Sequence, residues 1–420
     1  MDSFTRTEQT PMQNPASDSD IPSWLLAGEA PEDTGLLCRL SCGIDFLTDF
    51  WREKYLQEYI REGGSKIKFV TGRPGSGKTH LLRLLSTMAA EEDYVCVRFS
   101  AREIWLHDFR EIYAEIFRQS QILSCLSRCG DQIIRQMGHD PADISPGMTF
   151  MDYLSQNGMG DAITRREIRM QLREMFLDNP LLDNNFALAC SLLTGSLLGH
   201  PLLEEQNRDL LLSWLQADRT VKLALLKGLG LSPCRITRSN ARHMLRSLSE
   251  VIRLGGKPGL FIAVDNLEIL LNRSSLEPIH YTKLKREDTY ESIRQLIDDI
   301  DSMQNIFFVF AFDRELMDND NAGLKSYQAL WMRIQNEIAG QRFNRFTDIA
   351  DLDQLAAQEY GPDTIRAMSE RLCEVLSDYG LPGVPLDEGQ AQELITQARL
   401  GSTGIPRLVY QTVSGGEKNV

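Results

Sequence analysis

The chain has 420 residues, 42% of them hydrophobic and 25% charged, and a formal charge of −14. That length suits two or three domains of ~100–200 residues each. The acidic balance argues against a protein that coats nucleic acid without sequence preference, because the phosphate backbone would repel it. No apolar run reaches the ~18 residues of a membrane span. The eight cysteines and six histidines are scattered and do not fall at metal-ligand spacing. The expectation is a reduced, cytoplasmic protein with no membrane segment.

In chain order, Met1 to Asp20 is polar, acidic and rich in Pro and Ser, without the basic-then-apolar order of a secretory signal. Residues 1–34 are expected to form a disordered tail. Ile44 to Ile60 has the apolar spacing of an amphipathic helix, stopped by Gly63-Gly64. Ile67 to Val70 is a short strand, His80 to Ala90 a helix, and Tyr94 to Phe99 a second buried strand. This order opens a parallel α/β sheet.

From Ile104 to about Gly230 strand signals fade and helical periodicity takes over, so residues 104–234 are expected to be a helical insertion between two parts of the core, 35–103 and 235–354. The α/β pattern resumes at Gly259 to Asp265. It continues through a helix at Thr289 to Ser302, a strand at Ile306 to Ala311, a helix at Tyr327 to Ala339 and a last short strand within Phe346 to Leu352. Residues 355–415 are expected to form a helical lid of segments near 362–379, 387–399 and 404–413.

The chemistry concentrates in a few places. The loop Gly72-Arg73-Pro74-Gly75-Ser76-Gly77-Lys78-Thr79 fits G-x-x-x-x-G-K-[ST] at every fixed position, with an apolar strand before it and a helix after it. Its glycines let backbone N–H groups turn inward to cradle phosphates of ATP. Lys78 would reach the β/γ-phosphates, and the Thr79 hydroxyl would ligate Mg²⁺. The apolar run Leu260 to Val264 ends in Asp265, a carboxylate placed as a second anchor for Mg²⁺. The acid that commonly follows, to polarise the attacking water, is here Asn266. Glu268 is the nearest carboxylate, either a displaced catalytic acid or a plain helix-start residue.

Three arginine sites extend this reading. Arg407 follows Gly404-Ile405-Pro406 at a helix start, where it could contact the γ-phosphate from the lid or simply be solvated. Arg345, with Arg342 close behind, falls before the last strand, where it could serve a neighbouring subunit's ATP as a finger or pair locally. At the strand end Phe312-Asp313-Arg314, Arg314 is electrostatically the better phosphate sensor, since a carboxylate repels phosphate. Arg235, Arg238, Arg242 and Arg246 recur at three- and four-residue spacing and are expected on one helix face, as a phosphate-binding stripe for DNA or a solvated face. Arg165, Arg166, Arg169 and Arg173 form a weaker cluster, interleaved with Glu167 and Glu174.

Together these motifs resemble the AAA+ superfamily, especially its origin-recognition-like branch, over roughly residues 35–415. At finer grain the chain resembles the BREX-system ATP-binding proteins of phage defence, the BrxC/BrxD-type family. Lys66 to Leu82, Tyr281 to Ile300 and Gly323 to Ile334 carry that likeness, together with the long helical insertion. The resemblance implies an α/β, parallel-sheet P-loop NTPase (AAA+) core with a helical insertion and a C-terminal helical lid. It further implies an ATPase using ATP and Mg²⁺, working as a homo-oligomer with other defence-system proteins that modify or remodel DNA. Asn266 departs from the two-acid pattern and leaves a second reading open, a nucleotide-dependent switch or scaffold with little hydrolysis.

Overall fold

The computed structural model describes residues 21–272, 274, 278–335 and 348–415. Five strands, β1 (Ser65–Gly72), β2 (Val95–Ser100), β3 (Leu260–Asp265), β4 (Ile306–Asp313) and β5 (Ile349–Asp351), form one sheet in the order β2-β3-β4-β1-β5. Every pairing is parallel. The strands lie close to where the sequence placed them, because a sheet covered on both faces demands near-continuous apolar runs. β4, Ile-Phe-Phe-Val-Phe-Ala-Phe-Asp, is the clearest case: its first seven residues are all buried.

The period of two along β4 sorts the two layers. Phe307, Val309 and Ala311 face a core shared with Leu47, Trp51 and Leu56 of the helix beginning at Asp45, and with Leu81, Leu82 and Leu85 of the helix Lys78–Glu91. Ile306, Phe308, Phe310 and Phe312 face the opposite layer. There Phe109–Gln119, Ala241–Leu254 and Lys283–Asp299 supply the covering helices.

The helical insertion is not a body apart from the sheet. Its apolar residues, among them Leu126, Phe150, Phe186 and Trp214, belong to the same continuous cluster as Phe69, Val97 and Ile262 of the strands. The lid has a separate small core, where Ile365, Leu376, Leu394 and Val409 of the helices Pro362–Asp378, Glu388–Leu400 and Ile405–Val413 meet. Among the described residues no helix is long and apolar enough to cross a membrane.

Two expectations need correcting. Residues 21–34, expected within a disordered tail, carry the short helix Ser23–Ala27, and its Leu25 is 1% exposed inside the lid core. The apolar Trp24-Leu25-Leu26 run drives that docking, and Gly28 at φ 63° ends the helix. The four arginines from Arg235 do not share a helix face either. The helix starts only at Ala241, so Arg235 and Arg238 precede it. Arg238 pairs with Asp288 at 3.3 Å, and Arg242 pairs with Asp299 at 2.9 Å while bonding Gln295 at 2.6 Å. This acidic chain's own carboxylates take up those two charges.

Candidate nucleotide site

Parallel strands carry their C-terminal ends to one edge of the sheet, and the polar residues collect there. Gly72, Ser100, Asp265, Asp313 and Asp351 are each the last residue of their strand. The register sets Gly72 beside Asp313 and Ser100 beside Asp265. The loop after Gly72 turns sharply, with Gly75 at φ 77° and Gly77 at φ 93°, a left-handed region that favours glycine. Lys78 then starts a 14-residue helix, so the N–H groups and positive end of that helix face the cleft.

Within this cradle the Thr79 hydroxyl donates to Asp265 Oδ2 at 2.6 Å, joining residues 186 positions apart. Asp265 Oδ1 accepts the Asn266 N–H at 2.8 Å. Lys78 is buried. Its ammonium donates to the carbonyls of Arg73 and Gly72 at 2.9 and 3.1 Å and forms an ion pair with Asp313 Oδ1 at 2.8 Å. A hydroxyl and a carboxylate in contact, with a lysine alongside, suit a divalent cation and the phosphates it would accompany.

Asn266 occupies a left-handed conformation, φ 61°, and its side-chain oxygen accepts from Ser100 Oγ at 2.9 Å. Glu268 sits one short turn later. One carboxylate oxygen pairs with Arg102 at 3.1 Å and the other accepts the Asp313 N–H at 3.3 Å. Burial raises the Glu268 carboxyl above its ordinary range, and the neighbouring Asp313 charge adds to the rise. The strand-end expectation reverses here. Arg314 turns away to Asp351 and Asp318, at 3.1 and 3.3 Å, and it is Asp313 that faces Lys78.

The lid closes on the loop through backbone contacts. Gly404 N–H donates to Pro74 O at 2.9 Å and Arg407 N–H to Gly75 O at 3.2 Å. Arg73 links loop to lid from the other side. Its backbone N–H donates to Asp353 at 2.7 Å, and its guanidinium reaches Ala398 O at 2.6 Å and Gly401 O at 2.5 Å. The Arg407 guanidinium is held by the carbonyls of Ala27 and Gly28 and lies over the Tyr410 ring.

Those carbonyls belong to a segment that sequence reasoning missed. From Leu25, which accepts from Tyr410 Oη, the chain runs to Ala30 and Glu32, which are held by Arg83 and, for Glu32, also by Arg98 at 2.9 Å. The segment is a strap between lid and core. The run Ser23-Trp24-Leu25-Leu26-Ala27-Gly28, apolar and closed by glycine, was the signal that could have revealed it.

Loop, strap and lid line an open cavity of about 920 Å³. Its lining includes Leu40, Ile44, Tyr360, Met368 and Leu372, apolar side chains suited to a flat base. His80 borders it, bonded to Ser41 Oγ at 2.7 Å, and burial lowers its imidazole to about 4, with Arg83 adding to the effect. Pro74 to Thr79, Asp265 and Arg407 line this cleft, while Gly72, Arg73 and Glu268 are not part of its lining; Glu268 accepts from Nδ2 of the lining residue Asn266 at 3.4 Å. Arg342 and Arg345 lie outside the described residues.

Strand order, loop and lid give the chain an α/β P-loop NTPase core with added helical regions. A family model of the BREX system ATP-binding proteins BrxC/D matches residues 25–409, and the chain belongs to that family. No curated protein and no solved structure matches it. Family membership makes it an ATP-binding component of a phage-defence system.

Proposed function

We propose that the chain is an ATPase that binds ATP with Mg²⁺ in the cleft between loop and lid, and that nucleotide state sets how the lid and strap engage partner proteins of the defence system. The 2.6 Å contact between Thr79 and Asp265 carries the reading, since it joins the two groups that a phosphate-bound Mg²⁺ requires from the protein. In this reading the N–H groups of Gly72 to Thr79 hold the phosphates and Lys78 leaves Asp313 to neutralise them. Mg²⁺, when bound, supplies neutralisation of the charge that develops on the transferred phosphoryl group. Glu268 is the carboxylate nearest the missing acid at Asn266 and positions water, after release from Arg102. Arg407 reads the γ-phosphate once it leaves the strap, and Arg345 of an adjoining copy completes the site in a homo-oligomer.

One observation favours a slow hydrolase acting as a switch. Glu268 is engaged by Arg102 and the Asp313 N–H, while Asn266 is tied to Ser100, so among the described residues no acid is presented freely beside Asp265. Contact with DNA through Arg238 and Arg242 is disfavoured, because both are paired within the chain. Steady-state and single-turnover ATP hydrolysis, with and without DNA, test the proposal. Binding without turnover would leave the switch, and no binding at all would overturn both readings.

A further inference from the structure

We propose that Asp313 makes the cleft discriminate against a nucleoside triphosphate relative to a diphosphate, by holding a fixed negative charge where the third phosphate arrives. The inference rests on nucleotide binding in this cleft.

Asp313 is fixed by its place in the sheet. It ends β4, which lies between the strand that leads into the loop and the strand that ends in Asp265, and its register partner is Gly72. Its carboxylate is 2.8 Å from the ammonium of Lys78, which lines the cleft, and its side chain is 27% exposed and not folded into the core. Its backbone N–H is held by Glu268. The surrounding cations are directed elsewhere: Arg314 to Asp351 and Asp318, Arg407 to the strap carbonyls, Arg73 to Asp353 and the lid. Among the described residues, Lys78 is the cation that pairs with Asp313.

A loop of this kind cradles the first two phosphates on backbone N–H groups and offers its lysine between the second and third. Either nucleotide draws Lys78 away from Asp313. Only a triphosphate then places a further anionic group on the Asp313 side of that lysine, and like charges a few ångströms apart in a partly dry cleft repel strongly. A divalent cation, which Thr79 and Asp265 would hold, would weaken the repulsion by supplying positive charge there, so discrimination is greatest without metal. The helix after Asp313 takes no side-chain cap from it, so Asp313→Asn removes the charge without removing a cap.

The test is the ratio of ATP to ADP affinity, by calorimetry, for wild type and Asp313→Asn in EDTA, and again with Mg²⁺ and a non-hydrolysable triphosphate. In EDTA the variant is expected to improve ATP relative to ADP by ~10-fold or more, and by less with Mg²⁺. An unchanged ratio overturns the proposal. So does equal tightening of both nucleotides, which would make Asp313 only a competitor for Lys78. Asp313→Ser, with folding checked by circular dichroism, gives the same readout should the asparagine variant misfold. A wild type that binds neither nucleotide overturns the underlying nucleotide reading itself, a result distinct from binding with an unchanged ratio.

Discussion

Gly404 packs against the loop so closely that a Cβ on it would lie 2.5 Å from Ser76 N and 2.8 Å from Gly75 C. Both neighbours are backbone, so neither can swing aside. Gly404→Ala is expected to push the helix Ile405–Val413 off the loop and weaken nucleotide affinity by ~10-fold or more, while the lid's own core survives. Calorimetric binding beside a thermal melt checks this. Unchanged affinity would mean that lid docking contributes nothing to binding.

Lys78→Ala removes the side-chain cation that reaches from the loop into the cleft. Nucleotide binding is expected to fall below detection. The fold should persist, because Asp313, the partner left behind, is part-exposed and can be hydrated. Circular dichroism together with binding of a fluorescent nucleotide separates the two effects.

Glu268→Gln is expected to keep ATP binding and lower turnover ~100-fold, the low end of what a general base supplies. Burial and Asp313 raise the Glu268 carboxyl, so its ionised, base-competent form is lost on acidification at a higher pH than for an ordinary glutamate. The wild-type rate should therefore fall early on the acid side, and the variant should lack that step. An active wild type whose rate is unaltered by the substitution would take Glu268 out of the mechanism. Asn266→Glu, restoring an acid directly after Asp265, is expected to raise turnover if displacement of the acid is what slows it.

His80 predicts a dependence of stability on pH. Its imidazole is lowered from 6.5 to about 4 in the folded chain, so between those values the unfolded chain binds more protons. Stability is fully present above about pH 6.5 and declines as pH falls towards 4. The loss is ~2 kcal/mol, allowing for a ring that is only partly buried. Denaturant unfolding of wild type and His80→Gln at pH 7 and pH 4.5 measures it. An equal pH dependence in both would exclude His80 as the source.

The strands were legible because each had to be apolar along its whole length; Leu260 to Val264 and Ile306 to Phe312 leave no polar face to confuse the reading. The loop was legible because glycine, lysine and threonine at fixed spacing answer a local backbone demand. Asp265 could be paired with Thr79 across the insertion for the same reason: both lie at the mouth of the sheet. What sequence could not supply was direction. The roles of Asp313 and Arg314 were exchanged, since adjacent residues at a strand end point to opposite sides and only the register against Gly72 decides which faces Lys78. Arg235 and Arg238 have helical spacing but precede the helix, so periodicity alone misplaced them. The strap was hidden by its acidic, proline-containing surroundings, although Leu25 is as deeply buried as the residues of the lid core.

The apolar cluster that runs unbroken from the insertion into the sheet has a mechanical consequence. A module hung on a flexible tether can turn without disturbing its anchor, but helices whose apolar residues share one continuous core with the strands cannot. Excising residues 104–234 would take Phe109–Gln119 out of the layer it shares with Ala241–Leu254 and Lys283–Asp299, and so would open the sheet's own core instead of trimming an accessory.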